Sequence, residues 1–209
     1  MSSELIFYTN PLSRGRIVRW MLEELQVPYS VEVLEYDTSI KSPQYLAINP
    51  LGKVPAIMHN GRVVTETAAI CAYLAEAYPN AGLAPTPDER ADYYRWLFFT
   101  AGPVEAAITN RSIYGADPAP DKQRMAGYGN LSAALDGLSH AVTANPYIAG
   151  ARFTAADVYV GAQIGWGLQF GTMEKRPEFI EYFSRLSSRD AFVRANQMDD
   201  ELAAVQSTN

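Results

Sequence analysis

The spacing of hydrophobic positions changes along the chain, and the changes mark out its elements. Leu5 to Thr9 is a short apolar run of β-formers, which predicts a buried strand. From Arg14 to Gln26 the spacing lengthens, and Ile17, Val18, Met21, Leu22 and Leu25 fall on one helical stripe. Val27-Pro28 closes that helix, because proline cannot continue it. Tyr29 to Leu34 reads as a second strand. Residues 37 to 48 read as irregular, with a helical turn around Gln44 to Ala47. Val54 to His59 and Arg62 to Thr65 flank Asn60-Gly61, a strong hairpin signal. Glu66 to Tyr78 is helical, with Ile70, Tyr73, Leu74 and Ala77 inward. The order β-α-β-α-β-β-α demands a crossover between parallel strands first and an antiparallel hairpin last.

Beyond this point the strand pattern stops. Pro79 to Asp88 carries Asn80, Gly82, Pro85 and Pro87 and reads as a linker. Helices are predicted over Glu89 to Ser112, kinked at Gly102-Pro103, and over Asp121 to Thr143. Others follow at Thr154 to Gln169 and Pro177 to Arg185, with a short one at Ala191 to Ala195. The expected organisation is an α/β domain over residues 1–80, a linker over 81–88 and an all-α domain over 89–209.

Composition narrows the function classes. Of 209 residues, 48% are hydrophobic and 19% charged, which suits a chain with a sizeable core. No run approaches the length of apolar sequence that spans a bilayer, so no membrane partner is expected. Lys and Arg total 17 against 23 Asp and Glu, a net charge of −6 that argues against nucleic acid. The single cysteine, Cys71, excludes an internal disulfide and a Cys-rich zinc site, and inside a helix it reads as an inert buried thiol. With only His59 and His140, a His-ligated metal is not expected either. The start, Met-Ser-Ser-Glu, has no basic flank or long apolar stretch, so the expectation is no export signal and a cytoplasmic location.

Three motifs then appear in order. They are Asn49-Pro50-Leu51-Gly52-Lys53-Val54-Pro55, Thr65-Glu66-Thr67-Ala68-Ala69-Ile70 and Phe153-Thr154-Ala155-Ala156-Asp157. Together, around a Pro-rich linker, they resemble the glutathione S-transferase family over nearly the whole chain. The resemblance implies a thioredoxin-like N-terminal domain that binds glutathione and an all-helical domain that binds an electrophile. It implies glutathione as co-substrate and no cofactor. It also implies a cis Val54–Pro55 bond, with Val54's N–H and C=O turned outward to pair with a bound peptide in β fashion.

Glu66 and Thr67 sit at a helix start, where free N–H groups and the dipole favour an anion. The resemblance assigns Glu66 to the γ-glutamyl ammonium and Thr67 to its carboxylate. Otherwise Glu66 simply complements the dipole. Lys53, or Lys41 in its place, is expected to pair with the glycyl carboxylate; the alternative for each is a solvated lysine. Thr154 and Asp157 form a capping box with Phe153 and Val158 as its staple, a folding role.

A thiol must lose its proton to react, and one hydroxyl aimed at the sulfur suffices. A well-placed hydrogen bond to a charged group contributes roughly 1.5–3 kcal/mol, against about 2.7 for a two-unit shift. The family places this group in the loop Thr9 to Arg16. Ser13 lies at the mouth of the helix there and matches serine-type members, though one residue closer to Arg16 than in the Ser-x-Pro-x-Arg pattern. Its other reading is a helix N-cap. Tyr8, where tyrosine-type members keep their Tyr, and Asn10 are the alternatives; Tyr8 also reads as core. Arg14 stands where cysteine-type members keep a cysteine. Aromatic residues crowd the first helix after the linker, and Phe99, Tyr114 and Trp166 are the expected electrophile contacts. The surplus apolar surface there and on the Glu66 helix points to a homodimer.

The reading is therefore a glutathione transferase acting on a small hydrophobic electrophile by conjugation or reduction. The alternatives are a non-catalytic glutathione-binding regulatory or stress module, and a glutathione-dependent disulfide or peroxide reductase.

Overall fold

The computed structural model describes residues 4–206. The chain divides into two compact units. One holds the residues up to Gly82 together with those from Ser188 onward; the other is Leu83–Ser187.

The first unit is built on four strands: β1 (Leu5–Thr9), β2 (Ser30–Val33), β3 (Ala56–His59) and β4 (Arg62–Thr65). Their order in the sheet is β2-β1-β3-β4. β1 pairs parallel to β2 and antiparallel to β3, and β3 and β4 form the expected hairpin. At its tip Asn60 and Gly61 both take positive φ, 52° and 76°, which a two-residue turn of this hand requires. Helices α1 (Gly15–Leu25), α2 (Pro43–Leu46) and α3 (Thr67–Ala77) complete the β-α-β-α-β-β-α order.

Strand alternation sorts the side chains by face. Phe7 and Ile57 are fully buried, as are Val18, Met21 and Leu22 of α1 and Ile70, Cys71 and Leu74 of α3. The opposite face carries Ile6, Tyr8, Ala56 and Met58, which pack with Ile40 and Tyr45. The register aligns Tyr8 with Ala56 and Ala56 with Thr65. Past that row, at one end of the sheet, the chain leaves β1 toward Asn10, enters β3 from Val54 and leaves β4 toward Glu66.

Ser188 onward belongs to this first unit, where the sequence predicts one helical domain over 89–209. The short helix predicted at Ala191 to Ala195 is in fact α9 (Asp190–Gln206), once α4 to α8 below are counted. Its inward stripe is Ala191, Ala195 and Asp199, four residues apart and with no large aliphatic side chain. Such a stripe has little hydrophobic signal. The helix is instead held against α1 by Phe192 edge-on to Trp20 and by ion pairs described below.

The second unit is all helical: α4 (Arg90–Phe99), α5 (Glu105–Tyr114), α6 (Leu131–Ala144), α7 (Ala155–Phe170) and α8 (Pro177–Ser187). The kink expected at Gly102-Pro103 is a π-helical turn over Thr100–Val104, where Pro103 has no N–H to donate. α7 is buried on nearly every face, as befits a central helix. The carboxylate of Asp157 accepts from the Thr154 N–H and hydroxyl, at 2.8 and 2.9 Å, and from the Tyr182 hydroxyl and Ile148 N–H, both at 2.7 Å. The helix predicted over Asp121 to Thr143 begins only at Leu131. Gly127 and Gly129 take φ of 73° and 72°, and Asn130 caps the helix by accepting Ala133's N–H at 2.8 Å.

Candidate functional site

The loop between β1 and α1 is wired by short polar side chains. Asn10 Oδ1 accepts the Leu12 N–H at 2.9 Å, and Asn10 Nδ2 donates to the Leu34 C=O at 2.8 Å. Asn10 thus ties the loop to the exit of β2. Its C=O accepts the Ser13 N–H at 3.1 Å and the Ser13 hydroxyl at 2.6 Å. Ser13 Oγ in turn accepts the Gly15 N–H at 2.9 Å. The N-cap of α1 is Arg14 rather than Ser13, and it has no side-chain capping bond; Ser13 nonetheless occupies the Gly15 N–H, which is not free to face a ligand. Gly15 must be glycine: a Cβ there would lie 1.9 Å from the buried Thr9 hydroxyl.

The three candidate donors differ. Tyr8 packs in the apolar face with its ring 5.7 Å from that of Tyr45, and burial, helped by Glu32 and Glu4, raises its phenol. Asn10 has both ends of its amide engaged with backbone. Ser13 is half-buried, and its hydroxyl hydrogen lies on a neighbouring carbonyl. A hydroxyl oxygen that already accepts an N–H donates its own proton more strongly.

Beside this loop, the Val54–Pro55 bond is cis. Among the described residues, no hydrogen-bond partner takes Val54's N–H or C=O. The preceding carbonyl, of Lys53, accepts the Tyr45 hydroxyl at 2.6 Å and Asn49 Nδ2 at 2.8 Å. Tyr45 and Asn49 thus aim the backbone at Val54. Asn49 lies within the Asn-Pro motif, whereas Tyr45 has no sequence signal for this role. Lys41 Nζ donates to the carbonyls of Leu51 and Gly52, both at 3.1 Å, and braces the same loop. The Lys53 side chain is exposed.

At the end of β4, Glu66 is the N-cap of α3 rather than part of its first turn. Its φ of 67° and ψ of 115° lie outside the left-handed helical well, a costly conformation for a non-glycine residue. Its C=O accepts the Ile70 N–H at 2.8 Å. The N–H groups of Thr67, Ala68 and Ala69 therefore have no intrahelical partner. The register places this N-terminus at the same end of the sheet as the Ser13 loop and Val54.

A β-strand end that offers an unpaired backbone edge, a helix N-terminus with a carboxylate at its cap, and a hydroxyl at a second helix mouth suits a small charged peptide. Comparison with known proteins identifies the group. Residues 14–77 match the family model for the glutathione S-transferase N-terminal domain. A glutathione S-transferase of Xanthomonas campestris is 30% identical over 94% of this chain and 95% of its own. The chain belongs to the glutathione S-transferase family.

It is a glutathione transferase enzyme by that kinship. A family member from Hypomyces subiculosus is 27% identical over 90% of this chain and 95% of its own. The crystal structure of a glutathione transferase from Methylococcus capsulatus is 26% identical, with a TM-score of 0.75 over 94% of this chain and 98% of that one. A homologue from Sulfitobacter, solved with bound glutathione, is 25% identical with a TM-score of 0.75, covering 93% of this chain and 98% of that one. The thioredoxin-like sheet followed by helices is the fold of the family.

In the helical unit of this transferase, Phe99 is half-buried. Its ring lies over Gly137 of α6, 2.8 Å from where a Cβ would stand, and edge-on to Trp96. Trp166 is half-buried on α7, and Tyr114, at the end of α5, is 74% exposed. Phe99 packs over Gly137 with part of its surface still open, and Tyr114 and Trp166 also retain open surface. Burial pushes the Cys71 thiol up to about 12, so it is no nucleophile at neutral pH. Among the described residues, no group of three or more His, Cys, Asp or Glu is placed to hold a metal ion. No described helix is long and apolar enough to cross a membrane.

Proposed function

We propose that this transferase binds glutathione at the sheet end of its first unit and activates the thiol with Ser13, for conjugation to or reduction of a small apolar electrophile. Glu66 takes the γ-glutamyl ammonium, and Thr67 with the free N–H groups of α3 takes the carboxylate. The cysteinyl backbone pairs with Val54 beside Pro55, and Lys53, with its exposed ammonium, meets the glycyl carboxylate. The helical unit, including Phe99, Tyr114 and Trp166, meets the electrophile. The working form is a cytoplasmic homodimer.

The observation that carries the reading is the hydrogen-bond chain Gly15 N–H to Ser13 Oγ, and Ser13 O–H to the Asn10 C=O. Turning the hydroxyl from that carbonyl to a sulfur costs one hydrogen bond and makes a charge-assisted one. The thiolate then forms a carbon–sulfur bond as the leaving group departs with its bonding pair. Asn10, held at both ends, is less available for this role, whereas Tyr8, its ring packed against Tyr45, keeps a hydroxyl without a hydrogen-bond partner among the described residues and stands as the alternative.

The test is the thiolate absorbance of bound glutathione against pH in Ser13→Ala, Tyr8→Phe and Asn10→Ala. Ser13→Ala is expected to raise the thiol pKa by about one to two units, with little change in affinity. A shift in Tyr8→Phe alone would move the role to Tyr8. No shift in any variant would favour a binding module without catalysis.

A further inference from the structure

Arg16, in the first turn of α1, links the thiol loop to the far end of the chain. Its Nε donates to the Pro11 C=O at 2.6 Å, and a terminal guanidinium nitrogen pairs with Asp200 Oδ1 at 2.7 Å. Pro11 has no N–H, so this carbonyl is the polar handle by which its backbone can be held. Leu12 and Ser13 are each bonded to Asn10, and Arg16 is the long side chain that reaches back over them.

Asp200 is brought there by a ladder of ion pairs. Arg19 meets Asp199 at 3.1 Å, Glu23 meets Arg194 at 3.3 Å and Glu24 meets Arg189 at 2.6 Å. Rising numbers on α1 pair with falling numbers on α9 and Arg189 just before it, so the helices run antiparallel in one fixed register. Asp200 Oδ1 is then in line with Arg16. A planar guanidinium can serve both acceptors at once; a lysine ammonium at the same place cannot match that fork.

We propose that α9 is a positioning element for the thiol loop: Asp200 orients Arg16, and Arg16 holds the Pro11 carbonyl and with it the direction of the Ser13 hydroxyl. This deepens, and rests on, the assignment of Ser13 to the sulfur. Arg16 and Asp200 are positioning residues, since neither is placed on the sulfur.

The experiment compares Asp200→Ala, Asp200→Asn and Arg16→Lys with the parent and with Ser13→Ala. The readouts are amide hydrogen exchange at Leu12 and Ser13, the thiol titration of bound glutathione, and kcat and KM with an activated aryl halide. The Asp200 side chain is 69% exposed, so its loss leaves folding nearly intact. Asp200→Ala and Arg16→Lys are expected to speed exchange in the loop and to raise the thiol pKa by about 0.3–1 unit. They should lower kcat roughly two- to tenfold, with KM for glutathione within twofold. Asp200→Asn, which keeps an acceptor oxygen, should stay near the parent. Unchanged titration in both Asp200→Ala and Arg16→Lys would overturn the proposal, whether or not exchange quickens. Ser13→Ala separates the two failures, because it shifts the titration if Ser13 serves the thiol, whatever the α9 variants do.

Discussion

Ser13, Asn10 and Glu66 each do at the level of one side chain something that their neighbours in sequence cannot. Asn10 and Ser13 are short enough to bond to backbone two or three residues away, which is why they shape a tight loop. Glu66 holds an unfavourable φ of 67° at the cap of α3. Strain of this kind gathers at binding sites, and here it accompanies a carboxylate beside three free N–H groups. Glu66→Ala should weaken glutathione binding about tenfold or more, the loss of roughly 1.5–3 kcal/mol of charge-assisted contact. Calorimetric titration checks this, and unchanged affinity in a well-folded variant would sink the assignment. Buried acids set a second expectation. Desolvation pushes Tyr29, Tyr45 and Cys71 each up to about 12, against ordinary values of 10.0 for the phenols and 9.0 for the thiol. Unfolded, these groups ionise first, while the folded state keeps their protons. Stability present below pH 9 should therefore fall as pH rises toward 12. Urea midpoints measured at pH 8, 10 and 11 should decline, and Cys71 should resist thiol reagents at pH 8 until the protein unfolds.

At the scale of elements, the pairing of α1 with α9 is the contact that local sequence conceals. Arg19 and Asp199 have side chains only 1% exposed. Burial opposes the charge of Arg19, but Asp199 and the Tyr29 hydroxyl more than offset it and raise Arg19 above its usual value. Removing one partner leaves a charge inside the unit. Asp199→Ala should thus destabilise by about 3–5 kcal/mol, read from urea unfolding, whereas replacing the exposed Asp200 should cost about 1 kcal/mol or less. Equal effects at the two positions would contradict this account. The 121–130 segment fails as a helix for the opposite reason. Its apolar spacing looks helical, but Gly127 and Gly129 adopt left-handed turns, and Asn130 starts the helix afresh.

For the whole molecule, the expected homodimer concentrates on aromatic surface that the chain leaves uncovered. Phe98 on α4 is 66% exposed and stacks on Tyr94 at 6.4 Å between ring centroids. A largely exposed phenylalanine stacked on a half-buried tyrosine of the same helix is a natural part of a twofold interface. Sedimentation should give a dimer at micromolar concentration, and Phe98→Asp should shift it toward monomer without loss of helix content. A stable monomer in the parent protein would contradict the dimer.

Local pattern alone determined the strand and helix order of the first unit, because burial imposes a period of two or of 3.6 on the chain directly. The Asn60-Gly61 turn was legible because few residues tolerate positive φ. Glu66, Thr67 and Val54 were legible as site candidates because motif and element boundary coincide there. The partner of α9 was not legible, since Arg19 and Asp199 lie 180 residues apart and a charge pair leaves no periodic trace. Nor was the choice among Ser13, Tyr8 and Asn10 open to spacing. That choice turns on where each group is aimed and what its ring or amide packs against, a property of neighbours in three dimensions. The fold is written in periodicity, while the readiness of one hydroxyl depends on contacts that only folding brings together.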